Sequence, residues 1–222
     1  DYASPFPKEN RINLIVPLTT TKYEERNETQ FEQISKIIAA ITNEVPGNSV
    51  IFFSSYLIKD SIHKYFLDES EKTIFNEQRG LSSAEKNELI DNFKEYQESG
   101  AVLLGVLGGS FGEGIDLPGN FLKAVVIVGL PFSIPDLKTK ALIDFYQKKF
   151  NKGWEYGYIA PAFNKAIQGA GRCIRSKHDK GLIAFIDERY SWQKYRQWFP
   201  PDWDMKVSTN FCREISDFFG EK

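Results

Sequence analysis

Residues 168–176 read QGAGRCIRS and set two arginines, Arg172 and Arg175, behind Gln168 and two glycines. A guanidinium is planar, permanently charged and offers paired N–H donors, which makes it the side chain best suited to gripping phosphate oxygens. A second stretch, GGSFGEGIDLPG (108–119), holds five glycines in twelve residues, so its backbone must take unusual dihedrals or approach something closely. Glu113 and Asp116 flank Gly114 there. Asp116 lies between Ile115 and Leu117, a poor setting for a freely solvated carboxylate and a better one for an acceptor of an arginine or a sugar hydroxyl. The same two arginines also suit plain surface pairing with Asp179 or Glu188.

The groups that usually complete nucleotide chemistry do not occur in this sequence. No glycine is followed by lysine, so the loop G-x-x-x-x-G-K-[ST] that wraps phosphates is absent. No DEAH- or DExD-type metal-binding box occurs, and Asp187-Glu188 merely opens DERY near the end of the chain. The two histidines, His63 and His178, fall in a helical stretch and a charged turn, which is no basis for a Ser–His–Asp set. Cys173 and Cys212 are too few for a zinc or iron–sulfur site made by this chain alone, and they read as reduced intracellular thiols. No metal site is expected.

The elements that must position these residues follow from periodicity. Apolar runs at 12–18, 48–55, 101–109, 123–130 and 181–187, with a weaker one at 72–78, read as strands, most of them continuous enough to be buried on both faces. Helical periods fall at 29–45, 56–67, about 82–99, 135–150, 157–176 and 190–198, and Ser82 followed by Glu85 is a capping box. Strand and helix alternate, which predicts an α/β fold with a mostly parallel sheet covered by helices on both faces. Residues 1–199 read as one domain, and 200–222, after Pro200-Pro201, as a tail carrying the amphipathic segment FCREISDFF. In such sheets ligands gather beyond the carboxyl ends of the strands, which singles out SSY (54–56), the glycine-rich loop and GLPFSIPD (129–136).

Composition agrees with a globular domain: 41% hydrophobic, 26% charged and 14% aromatic residues in a chain of 222. The net charge of −2 argues against indiscriminate binding of polyanions, yet lysines cluster at 138–152 and basic residues at 165–180 while glutamates cluster at 24–32. One face is therefore expected to meet polyanions. No run approaches the roughly 20 apolar residues of a membrane helix, and no membrane partner is expected. The chain opens DYASPFPKENR without a methionine, which reads as the middle of a longer polypeptide.

GGSFGEGIDLPG followed by QGAGRCIRS resembles the fifth and sixth motifs of superfamily 2 helicases, and most closely those of the XPD-like iron–sulfur DNA helicases. VIFFSSYL resembles that group's fourth motif, GLPFSIPD a stretch between motifs five and six, and ASPFPKENR the entry into the second motor lobe. The resemblance covers roughly residues 3–190 and implies a RecA-like second motor lobe. It implies that ATP and Mg²⁺ are held mainly by a first RecA-like lobe, and that the iron–sulfur cluster of such proteins belongs to the parent protein and not to this chain. Arg172 and Arg175 then look like arginine fingers reaching an ATP on that lobe, with Gln168 beside them. The spacing 168, 172, 175 sets all three on one helical face. Glu113, Gly114 and Asp116 would join this nucleotide cleft. Ser54, Ser55, Tyr56, Ser110 and Phe111 lie in the loops that meet the phosphodiester in that family. Trp154 and Tyr156 could stack on bases or pack in the core, and Arg189 resembles a position beside the DNA path. The implied partners are single-stranded DNA, the first lobe, and repair or transcription factors, in the cytoplasm or nucleoid, or in a nucleus. A stand-alone nucleic-acid-binding module and an RNA helicase lobe are the alternative readings.

Overall fold

The computed structural model describes residues 7–111, 121–174 and 176–220. Seven strands form one sheet: β1 (Arg11–Val16), β2 (Ser49–Phe53), β3 (Thr73–Asn76), β4 (Ala101–Val106), β5 (Ala124–Val128), β6 (Gly181–Ile186) and β7 (Met205–Val207). Their order is β3-β4-β2-β5-β6-β1-β7, and every neighbouring pair is parallel. The strands expected to be buried on both faces are so: every residue of β2, β4, β5 and β6 is buried. The shorter β3 and β7 close the two edges and are largely exposed or half-buried.

Because side chains alternate along a strand, each strand feeds two cores. Phe52, Leu103, Val125, Ile127 and Phe185 enter one layer with Phe93 and Phe163. Ile51, Phe53, Leu104, Val126 and Ala184 enter the other with Ile34, Ile38, Ile62 and Phe66. The second layer is roofed by α1 (Glu28–Glu44), α2 (Tyr56–Glu69) and α7 (Phe211–Gly220). The first is roofed by α3 (Ser83–Glu95) and α5 (Ala160–Ala170). Two further helices are α4 (Leu137–Phe150), which buries no residue completely, and the single turn α6 (Gln193–Arg196).

Helix starts follow the sequence signals. Asn27, Ser55 and Asp136 each accept a backbone N–H of the first turn, and Ser82 and Glu85 complete the expected capping box. Such caps stabilise a helix by about 1 kcal/mol each. The helix expected over 157–176 differs. It opens with a π turn, Glu155–Ile159, runs as α5 and stops at Ala170. Gly157 explains the opening, since a Cβ there would lie 2.7 Å from the backbone N and Cα of Ile143, so α4 packs directly on this backbone. The helix expected over 190–198 shrinks to a 3₁₀ turn, Glu188–Ser191, and α6. The periodicity gave no sign of β7, which pairs Asn13, Leu14 and Ile15 of β1 with Met205, Lys206 and Val207.

Candidate functional site

Since all strands run the same way, their carboxyl ends share one edge, and the loops that follow β2, β4, β5 and β6 lie side by side there. After β2, the N–H of Ser54 donates to Val128 O (3.1 Å) and Ser55 caps α2. Tyr56 opens α2, and its hydroxyl donates to Glu77 Oε1 at 2.9 Å. Glu77 also accepts the N–H groups of Ser110 (2.6 Å, Oε1) and Val106 (2.9 Å, Oε2). Its side chain is fully buried. Burial, together with the bond to Glu77, pushes the Tyr56 phenol up to about 12. Gly109 is required here because a Cβ would lie 2.5 Å from Glu77 Oε1 and 2.9 Å from the Tyr56 hydroxyl. Phe111, expected to meet DNA, is only 1% exposed and belongs to the core. The backbone turn after β4 drives its ring inward, so among the described residues of this loop Ser110 is presented and no aromatic face is.

The loop after β6 is organised by Asp187, which is fully buried. It accepts Thr21 N–H (2.9 Å) and Thr21 Oγ1–H (3.0 Å), and it pairs in fork geometry with Arg189, Nε to Oδ1 and Nη2 to Oδ2, both at 2.7 Å. Arg189 Nη2 also donates to Thr21 Oγ1 (2.9 Å), and the guanidinium lies 6.0 Å from the Phe132 ring centre. The Arg189 side chain is 11% exposed. It borders a cleft of about 590 Å³ lined further by Thr21, Arg26, Phe132, Ser133 and Tyr158. A neighbouring pocket of about 290 Å³ includes Phe132, Tyr158, Lys138 and Lys165 in its walls. Phe132 and Tyr158 stack at 5.0 Å, and the exposed Trp154 sets its ring edgewise to Tyr158 at 5.1 Å. Tyr156 is tied instead into an aromatic group, edgewise to Tyr146, Phe150 and Trp198. Sequence reasoning passed over Glu77, which it placed at the end of a weak strand. The only available signal was an acid at the end of the weak strand, two residues past Phe75.

The turn that carries Arg172 lies beside the start of β6, where Cys173 bonds Leu182 O, at the other end of that strand from Arg189. Gln168 is exposed in the last turn of α5. Because α5 ends at Ala170, Arg172 does not continue its helical face; it follows in a turn whose N–H groups at 172 and 173 donate to Gly169 O and Ala170 O. Gly171 follows the last helical residue as its C-cap. Cys173 holds this turn to the sheet through Leu182 O (3.3 Å), and burial pushes its thiol up to about 12. Asp179 accepts the N–H and hydroxyl of Ser176 and closes the following loop. Arg175, Glu113, Gly114 and Asp116 lie outside the described residues. Among the described residues no group of His, Cys, Asp and Glu is arranged to hold a metal ion, both cysteines are free thiols, and no helix is long and apolar enough to cross a membrane.

A family model described as the helicase C-terminal domain matches residues 38–206. The chain is 29% identical over 204 residues to a probable ATP-dependent helicase of Methanocaldococcus jannaschii, covering 85% of this chain and 30% of that protein. It is 27% identical over 218 residues to the general transcription and DNA repair factor IIH helicase subunit XPD of Dictyostelium discoideum, covering 90% and 28%. It thus spans less than a third of the length of these curated relatives. Among solved structures, an XPD helicase superposes with a TM-score of 0.70 at 24% identity over 89% of this chain and 35% of that one. The C-terminal domain of the DEAD-box protein Dbp5 does so with a TM-score of 0.56 at 17% identity, over 93% and 96%. Both structures share the RecA-like fold. The chain belongs to the helicase C-terminal domain family and corresponds to the second motor lobe of XPD-like, Rad3-type superfamily 2 helicases.

Proposed function

We propose that this chain is the second motor lobe of an ATP-dependent 5′-to-3′ DNA helicase. In this reading it supplies arginine fingers to ATP bound on the first lobe and grips single-stranded DNA along the carboxyl edge of its sheet. The observation that carries the reading is the helicase C-terminal match over 38–206, a span that contains both the Gln168–Arg172 turn and the strand-end loops. Relatives named as ATP-dependent DNA helicases and as a DNA repair factor's helicase subunit favour DNA as the strand. Residues 1–199 form the motor lobe proper, to which 200–222 add an edge strand and a helix.

The chemistry asked of this lobe is electrostatic. Phosphoryl transfer spreads negative charge over the transferred group, and a guanidinium brought against it by lobe closure stabilises that charge. Arg172 and Arg175 take this role, Gln168 orients the phosphate or its attacking water, and Glu113, Gly114 and Asp116 complete the cleft. ATP and Mg²⁺ are held mainly by the first lobe, and the iron–sulfur cluster belongs elsewhere in the parent protein. Hydrolysis then reopens the lobes, and the alternating grip of Ser54, Ser55, Tyr56, Ser110, Trp154 and the Arg189 region moves the strand.

The test has two arms. In the parent protein, Arg172→Ala lowers the rate of ATP hydrolysis by ~10³–10⁵ while affinity for single-stranded DNA is retained; hydrolysis at the wild-type rate overturns the finger role. In the isolated chain, fluorescence anisotropy with a labelled oligonucleotide across a salt series shows saturable, salt-sensitive binding. Trp154→Ala weakens it by about tenfold or more, as expected for one lost stacking platform. No saturation up to about 100 μM, a typical nonspecific limit, would assign the strand grip to the assembled lobes only.

A further inference from the structure

We propose that Glu77 is the positioning residue that locks residues 54–56 after β2 and 107–111 after β4 into one rigid platform for the phosphodiester, a role that rests on the strand-binding reading of those residues. Glu77 follows the last residue of β3 and extends the ladder by donating its N–H to Leu104 O (2.9 Å). Its carboxylate turns inward under both loops. One oxygen receives Tyr56 O–H from the first turn of α2 and Ser110 N–H from the loop after β4, and the other receives Val106 N–H at the end of β4.

A fully buried carboxylate is costly unless donors satisfy it. Among the described residues no Lys or Arg comes within ion-pair distance of this one. Its satisfaction therefore comes from three donors, the Tyr56 hydroxyl at the start of α2 and the N–H groups of Val106 at the end of β4 and of Ser110 just beyond it, and charge-assisted bonds of this kind are the stronger ones. Gly109 leaves the carboxylate its space, and the Arg79 guanidinium lies 4.7 Å from the Tyr56 ring centre, on the face of the side chain that Glu77 anchors. Because one oxygen accepts from both Tyr56 and Ser110, neither can shift without breaking its bond to the carboxylate that holds the other. A strand bound there meets Ser54, Ser55, Tyr56 and Ser110 already in register, so binding orders little. The isosteric amide cannot replace it: one amide oxygen can serve at most one side of the carboxylate, and its NH₂ group then faces a backbone N–H.

Two variants of the chain test this, Glu77→Gln and Tyr56→Phe, the second removing a single hydroxyl. Amide hydrogen exchange reads the coupling, and oligo(dT) anisotropy reads its consequence. In Glu77→Gln, exchange rises at Ser110 and also across residues 55–58, which no longer share an anchor; in Tyr56→Phe, exchange rises at Ser110 although nothing touching its own backbone was changed. Oligo(dT) affinity falls by about tenfold in Glu77→Gln, comparable to a lost bond to a charged group, while the slope of affinity against salt is unchanged because no cation–phosphate contact is removed. A thermal shift without these changes, or loosened loops with wild-type affinity, overturns the positioning role. If Glu77→Gln does not fold, unchanged Ser110 exchange in Tyr56→Phe overturns it by itself. A wild-type chain that fails to bind while exchange moves as stated removes strand binding by this lobe alone, as above, and keeps the coupling between the loops.

Discussion

Two half-buried cations set the tone at the scale of single residues. The Lys72 ammonium donates to Val45 O (2.5 Å) and Gly47 O (2.8 Å), the carbonyls that follow α1, and burial pulls its pKa down from 10.5 to about 8. Between those values the unfolded chain holds a proton that the native chain has released, so stability rises with pH across the window. Urea denaturation of wild type and Lys72→Met from pH 7.5 to 10.5 should therefore show the wild type gaining on the variant as pH increases; a parallel course would contradict the shift. Arg189 poses the opposite case, a cation fully paired. Arg189→Ala strands Asp187 in the interior, and a loss of about 3–5 kcal/mol is expected by urea unfolding. Adding Asp187→Asn returns part of that loss, since no buried charge then lacks its partner. Arg189→Ala is for this reason a blunt probe of DNA contact, and the exposed Trp154 is a sharper one.

Between residue and fold, α4 is the element with the least anchorage. It buries no side chain completely and leaves Leu137, Phe145 and Phe150 exposed, together with Ile134 and Trp154 at its flanks. Besides the edgewise rings of Tyr146 and Phe150 on Tyr156, it is held by the backbone contact at Gly157, where the π turn lets the two segments approach. Gly157→Ala places a methyl group against backbone atoms of Ile143 that cannot rotate away. A cost of about 1–3 kcal/mol is expected from such overpacking, read as a lowered melting temperature and as faster proteolysis confined to 134–158. Cleavage spread evenly over the chain would show that α4 is held by something other than this contact.

For the whole molecule, the sheet couples the ends of the chain. β7 pairs with β1, and α7 buries Phe211 and Ile215 in the layer that also holds α1 and α2. Residues 200–222 therefore contribute to the same core as the central strands. Ile215→Ala should cost about 2–5 kcal/mol and shift the single unfolding transition of the chain; a separate early transition, with the main one unmoved, would mean that the tail melts independently.

The sequence alone determined what is local or periodic. The continuous apolar runs of β2, β4, β5 and β6 can only be strands covered on both faces, Ser82 and Glu85 start a helix because their side chains reach N–H groups within one turn, and the motifs announce the family wherever they stand. The tertiary structure decided what depends on meeting a distant segment. Nothing near Glu77 in the chain indicates that its donors come from residues 56, 106 and 110, nor does DERY disclose that Arg189 is paired with its own neighbour and Thr21. Phe111 is read as available from its loop and is buried because the turn after β4 points it into the core. Spacing placed Gln168 and Arg172 on one helical face, yet Gly171 and the tether from Cys173 to β6 end the helix first. Helix and strand periods arise from contacts a few residues apart, whereas the partner of a buried charge or ring is fixed only when the sheet brings separate loops to a common edge.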